Sequence, residues 1–254
     1  MGPIDWAAII GAASWVPQVT GWVSRKLTRP ALRVIPSSFP EIGYTGFGPI
    51  FNLSCAISAE KKDAIIERVT AILEHERGQK MDLTWVQLSE TFSEFRGSPG
   101  QSELVGKSQA AIALKISTLL LAEKVIGFND LAFQAAVRAQ EAVVTDRLDF
   151  LRKGRADAAQ EMLRSKEFAD LVALWERHFP WQEGRYKAEV ELRIAGIAKA
   201  ARHRLEFALS PSDVERLRQN LAEIRHFREE LITSPAKFSD YKWNWVYPPF
   251  QVRM

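Results

Sequence analysis

Residues 183–194 read EGRYKAEVELRI, and the alternation in them decides the fold class. Tyr186, Ala188, Val190, Leu192 and Ile194 are apolar, while Lys187, Glu189, Glu191 and Arg193 between them are charged. A period of two is that of a strand with one face in a core and the other in water. A partner strand follows at 204–209, where Leu205, Phe207 and Leu209 alternate with Arg204 and Glu206. Working outward, ALRVIP at 31–36 reads as a first strand, bounded by the Pro, Ser and Gly-rich stretch PSSFPEIGYTGFGP. Phe51, Leu53, Cys55 and Ile57 share one face of a second strand. Residues 64–76 place Ile65, Val69, Ala71 and Leu73 on one face and turn at Arg77-Gly78-Gln79 into MDLTWVQL. Residues 109–123 (QAAIALKISTLLLAE) fit both the strand and the helix period and are read as strand, with VIGF from Val125 continuing or pairing with it.

Helical composition occupies the rest. From Leu131 to about His178 the chain is rich in Ala, Arg, Glu, Gln and Leu, which predicts two or three helices parted at Gly154. Ser210-Pro211-Ser212-Asp213 is a capping signal with proline at the first helical position, and it opens a last helix over 211–232. Its seam is Val214, Leu217, Leu221, Ile224 and Leu231.

The first 29 residues stand apart as a unit. Residues 4–24 (IDWAAIIGAASWVPQVTGWVS) carry one charge, Asp5, and are followed at once by Arg25, Lys26, Arg29 and Arg33. A cleavable signal peptide puts its basic residues before the apolar stretch, the reverse of this order. On a helix Ile9, Ala12, Val16, Val19, Val23 and Leu27 share a face, and Trp6, Trp15 and Trp22 suit a headgroup boundary. Three readings stay open: an in-plane or self-associating membrane segment, a short spanning helix, and a helix docked on its own or a partner's domain. The expected membrane contacts are Trp6, Ile9, Val16, Val19, Trp22, Val23, Arg25, Lys26 and Arg29. If the stretch spans, the basic residues beside it put the body, residues 30–254, in the cytoplasm, and the location expected is the cytoplasmic face of the membrane or the cytoplasm.

The stretch Glu183-Gly184-Arg185-Tyr186-Lys187-Ala188 resembles the tyrosine corner of immunoglobulin-like β-sandwiches, in which a tyrosine precedes by two positions a residue that is often cysteine. Ala188 stands at that position here, so the resemblance implies no inter-sheet disulfide, and it makes Trp85 a candidate core tryptophan. It covers residues 31–125 and 184–209 and bears on fold alone. The fold class expected is therefore α+β: an antiparallel immunoglobulin-like β-sandwich with a helical insertion at about 130–180, an N-terminal apolar amphipathic helix and a C-terminal helix.

The motifs that carry chemistry are thin. Gly106-Lys107-Ser108 ends like a phosphate-binding loop, but five residues rather than four separate Gly100 from Gly106, and TFSEFRGSP before it reads as irregular. Lys107 and Ser108 are thus weak nucleotide candidates and the basis of an alternative, a nucleotide- or phosphoester-processing enzyme. His75, His178, His203 and His226 show no metal-ligand spacing, and no cofactor or metal is expected. No serine lies in a nucleophile elbow, and the lone Cys55 sits mid-strand, as in a reducing compartment. With 34 basic and 31 acidic residues interleaved along the chain, nucleic acid is not the expected partner. The tail KWNWVYPPFQV is aromatic, and Trp243, Trp245, Tyr247 and Phe250 are its partner-binding candidates. The function expected is a non-enzymatic, membrane-associated protein-interaction module of a bacterial-type cytoplasmic assembly, with a protein partner or a second copy and an anionic membrane surface as partners. A soluble oligomeric structural subunit is the second alternative.

Overall fold

A computed structural model describes residues 29–95, 102–154, 156–234 and 241–251. The N-terminal helix, and with it Trp6, Ile9, Val16, Val19, Trp22, Val23, Arg25 and Lys26, lies outside the described residues. The described strands are β1 (Ala31–Pro36), β2 (Glu41–Thr45), β3 (Gly48–Glu60), β4 (Ala64–His75), β5 (Lys80–Phe95), β6 (Ser102–Ala110), β7 (Leu114–Ile116), β8 (Ala122–Asn129), β9 (Gly184–Ile194), β10 (Ala201–Leu209) and β11 (Trp245–Val246). The helices are α1 (Leu131–Arg152), α2 (Ala158–Leu163) and α3 (Lys166–Arg177) between β8 and β9, and α4 (Pro211–Thr233) after β10. The fold is mixed α+β, and its described strand pairs are antiparallel.

The alternating stretch becomes β9, with Tyr186, Ala188, Val190, Leu192 and Ile194 buried. On its wet face Glu189 and Glu191 meet Arg204 and Arg202 of β10 at 2.9 and 3.1 Å, exposed pairs worth under about 1 kcal/mol each. Hydrogen bonds link the strands into one sheet in the order β10-β9-β4-β5-β8-β3-β2-β11, with β1 on β3, β6 on β5 and β7 on β4. Five strand spacings separate β10 from β3, about 24 Å in a flat sheet. Yet the rings of Phe207 on β10 and Phe51 on β3 stack with centroids 6.1 Å apart. The sheet therefore curls until its inner face meets itself, and the buried residues of β3, β4, β5, β8 and β9 fill the curl.

The open side is crossed by the C-terminal segment. β11 pairs with β2, Phe250 N–H donates to Ser38 O at 2.9 Å, and Gln251 N–H donates to Glu206 O of β10 at 2.7 Å. The segment thus covers the edges of β2 and β10, which would otherwise offer unpaired backbone to other chains. Asn220 of α4 holds it in place. Its amide donates to Tyr44 O and Asn244 O and accepts from Asn244 N–H, all at 2.8–2.9 Å, with no side-chain exposure.

Local signals account for the helices. Asp130 caps α1 by accepting from Phe133 N–H, and Ser210 and Asp213 form the capping box of α4. The helices pack where β2, β3, β4 and β8 present the ends near Tyr44, Gly48, His75 and Asn129. Phe133 lies against Gly48, whose φ of +85° suits glycine and where an added Cβ would stand 2.3 Å from the ring. Trp175 and Trp181 donate to Gly46 O and Gly43 O, and Tyr44 donates to Trp175 O.

Three sequence expectations change. Ile65 points outward and Ile66 inward, because a bulge between Ile66 and Arg68 shifts the period by one. TFSEF is not irregular but the distal half of β5, concealed by a second bulge at Trp85/Gln87. The stretch 109–123 is neither one strand nor a helix: β6 ends at Ala110, β7 spans three residues, and Ser117 to Leu121 form a loop.

Replacing Asn220 by alanine leaves the buried Tyr44 carbonyl without its donor and releases the C-terminal segment. Urea unfolding of Asn220→Ala is expected to show a loss of about 2–4 kcal/mol, and a loss within about 0.5 kcal/mol contradicts the clasp.

Candidate functional site

The strands give the molecule two unlike ends. β3 climbs from Gly48 beside the helices to Glu60, roughly 40 Å away at about 3.3 Å per residue. At that far end four pieces of chain meet: the entry at Arg29 and Pro30, the β3–β4 turn, the segments flanking β7, and the β9–β10 turn. Arg29, Pro30, Lys62, Asp63, Ile65 and Gly196 help to line one open hollow of about 500 Å³ there.

Between β7 and β8 the chain reads Ser117-Thr118-Leu119-Leu120-Leu121. The three leucines are 89%, 73% and 52% exposed. This is not a slack loop. Asp63 Oδ1 accepts from Thr118 N–H at 2.9 Å and from its hydroxyl at 3.2 Å, and Ser117 Oγ accepts from Leu119 N–H at 3.1 Å. The backbone is tied to β4 while the leucines stand outward. The Thr118 amide, with help from its hydroxyl and from Lys115 at 3.8 Å, holds the Asp63 carboxyl below the usual carboxylate range.

Exposed cations share this end of the molecule. Arg29, Lys61, Lys62, Lys115 and Lys199 are exposed at this end, against the acids Glu60, Asp63 and Glu123. Lys61 has a φ of +67°, a left-handed conformation that costs a non-glycine residue about 1 kcal/mol, at the tip of the β3–β4 turn. Sequence spacing missed this cluster, because its members come from segments far apart in the chain. One signal was available: three consecutive leucines cannot all face inward on a strand, whose side chains alternate.

The other sequence candidates fall elsewhere. Arg29 belongs to this end of the molecule and is exposed. Lys107 and Ser108 are exposed on β6, opposite Glu90 and Ser89 of β5; the chain passes from there to β7, not into a helix whose N-terminal N–H groups cradle phosphate. Of the tail aromatics, Trp243 and Phe250 pack against the core and Trp245 covers Gly43, where a Cβ would lie 2.3 Å from its ring. Tyr247 is half exposed, stacks edge-on with Phe39 and donates to Glu41 at 3.0 Å. These lie near the helical end, away from the leucines.

Tyr186 makes the contacts of a tyrosine corner: its hydroxyl donates to Gln182 O at 3.1 Å and accepts from Gln182 N–H at 2.8 Å. His75 beside it is buried, with Nδ1 accepting from Arg77 N–H and Nε2 3.0 Å from Glu183 O, so both ring nitrogens serve the turn. Cys55 is buried, which pushes its thiol up to about 12. Among the described residues no three His, Cys, Asp or Glu side chains gather as a metal site, and no helix is long and apolar enough to cross a membrane.

Because the folded Asp63 carboxyl titrates below its unfolded value, its hold on Thr118 is present above the ordinary aspartate range and is lost as pH falls through the lowered value. The Thr118 amide proton, followed by NMR, is expected to shift with an inflection below that range and to lose the shift in Asp63→Ala. An inflection at or above the ordinary aspartate value contradicts the assignment.

No protein-family model matches the chain, and no curated protein matches it. Among solved structures it is similar to a family 123 glycoside hydrolase from Clostridium perfringens, studied for glycolipid glycan hydrolysis, at 8% identity and a TM-score of 0.35 over 72% of this chain and 27% of that one. The chain spans about a quarter of that enzyme's length.

Proposed function

We propose that the chain is a non-enzymatic, membrane-associated protein-interaction module at the cytoplasmic face of a membrane, in a bacterial-type assembly. One observation carries the reading: the apolar, basic-flanked N-terminal stretch joins the body at Arg29 and Pro30, at the end where exposed leucines stand among exposed lysines. Each basic residue near an anionic surface is worth on the order of 1 kcal/mol, and each leucine taken fully out of water about 1.5–3 kcal/mol. A membrane at this end leaves the helical end and Tyr247 facing the cytoplasm, where a protein partner reaches them. Within this reading the curled sheet is an immunoglobulin-like sandwich, a fold used mostly for binding, supported by the Tyr186 corner and the buried Trp85.

Flotation of the full-length chain with phosphatidylcholine–phosphatidylserine vesicles tests it. The protein is expected to rise with the vesicles and to be partly released by salt. A chain left wholly at the bottom of the gradient overturns the membrane role.

A further inference from the structure

We infer that the folded body itself inserts Leu119, Leu120 and Leu121 into the headgroup and acyl boundary of an anionic bilayer, as a second membrane contact separate from the N-terminal stretch. This rests on the membrane reading above and adds to it the contacting loop, the lipid charge and the direction in which the body stands.

Three observations commit the loop to a lipid occupant. The leucines stand exposed on a loop at one end, at 89%, 73% and 52%, so a flat surface can reach them. The loop is pinned at its start, where Thr118 N–H donates to Asp63 and Leu119 N–H to Ser117 Oγ, so less ordering entropy opposes insertion. The cations rise from three different segments: Lys61 and Lys62 from the β3–β4 turn, Lys115 from β7, and Lys199 from the β9–β10 turn. An apolar tip with a basic surround is complementary to a negative surface over an apolar interior. Arg29, exposed at the same end, adds to these cations. The elements at the other end of β3, the four helices and Tyr247, then point away from the bilayer.

The experiment uses the full-length chain with Leu120→Cys carrying an environment-sensitive naphthalene dye. Cys55 is buried with its thiol pushed up to about 12, so the introduced thiol takes the label. A second variant, Phe150→Cys on the exposed face of α1, carries the dye at the helical end. With phosphatidylserine-containing vesicles the emission at position 120 is expected to shift to the blue and at position 150 to stay aqueous. The variant Leu119→Ser/Leu120→Ser/Leu121→Ser is expected to keep its thermal unfolding midpoint and to bind the same vesicles about tenfold or more weakly. Flotation with an aqueous signal at position 120 overturns this inference and leaves the N-terminal anchor standing; no flotation overturns both. A signal already blue without vesicles places the N-terminal stretch or a second copy on the loop and overturns it. An equal shift with pure phosphatidylcholine overturns the anionic requirement.

Discussion

The contact on which the rest of the structure depends is the aromatic stack inside the curled sheet. Phe51 meets Phe207 at 6.1 Å, Phe207 lies parallel to Tyr186 at 5.2 Å, and Tyr186 abuts Trp181 at 5.9 Å. Phe51 on β3 and Phe207 on β10 belong to strands that a flat ladder would hold about 24 Å apart. Burying them together, at more than 150 Å² each, sets the curvature. The curvature in turn brings the β2 and β10 edges within reach of one C-terminal segment. The Tyr186 hydroxyl adds a clasp on Gln182, and Asn220 fixes the crossing segment.

Once the sheet curls, its two ends become chemically distinct. The helices can reach the inner face only where β8 and β10 end, so α1 and α4 leave there, capped by Asp130 and Ser210. Among the described residues no helix covers the opposite end. Its turns are short, and the loop after β7 is bonded through its backbone, so leucines and lysines are left outside by construction. The proposed function rests on this asymmetry: one end carries exposed leucines and lysines, and the other carries the helices and the half-exposed Tyr247.

How far the sequence foretold this depends on whether a period survives. β9 was legible because five apolar positions alternate without a break, and α4 because Ser210 and Asp213 announce it. β5 was legible only to Trp85, since the bulge after it inverts the alternation and hides TFSEF. β2 was lost in a stretch whose glycines look like turn signals; Gly43 is there because the Trp245 ring lies over it, a contact between residues 202 apart in number that no local pattern reveals. The stretch holding the leucine loop suits either period; its run of three leucines was the one local signal, and the bond from Thr118 to Asp63, 55 positions away, was not legible. The tail was read as a surface for a partner, and its aromatics turn out divided, Trp243 and Phe250 toward the core and Tyr247 toward water. The bonds of the Tyr186 hydroxyl to Gln182 are local, made between residues four apart.

The most direct measurement is amide hydrogen exchange, read peptide by peptide, on the full-length chain with and without phosphatidylserine vesicles. The account expects added protection at the β3–β4 turn, at residues 111–121 and at the β9–β10 turn, with α1, α4 and the segment 241–251 unchanged. Protection at the helices or the C-terminal segment, with those three turns untouched, would show that the membrane lies at the wrong end of the molecule and contradict it.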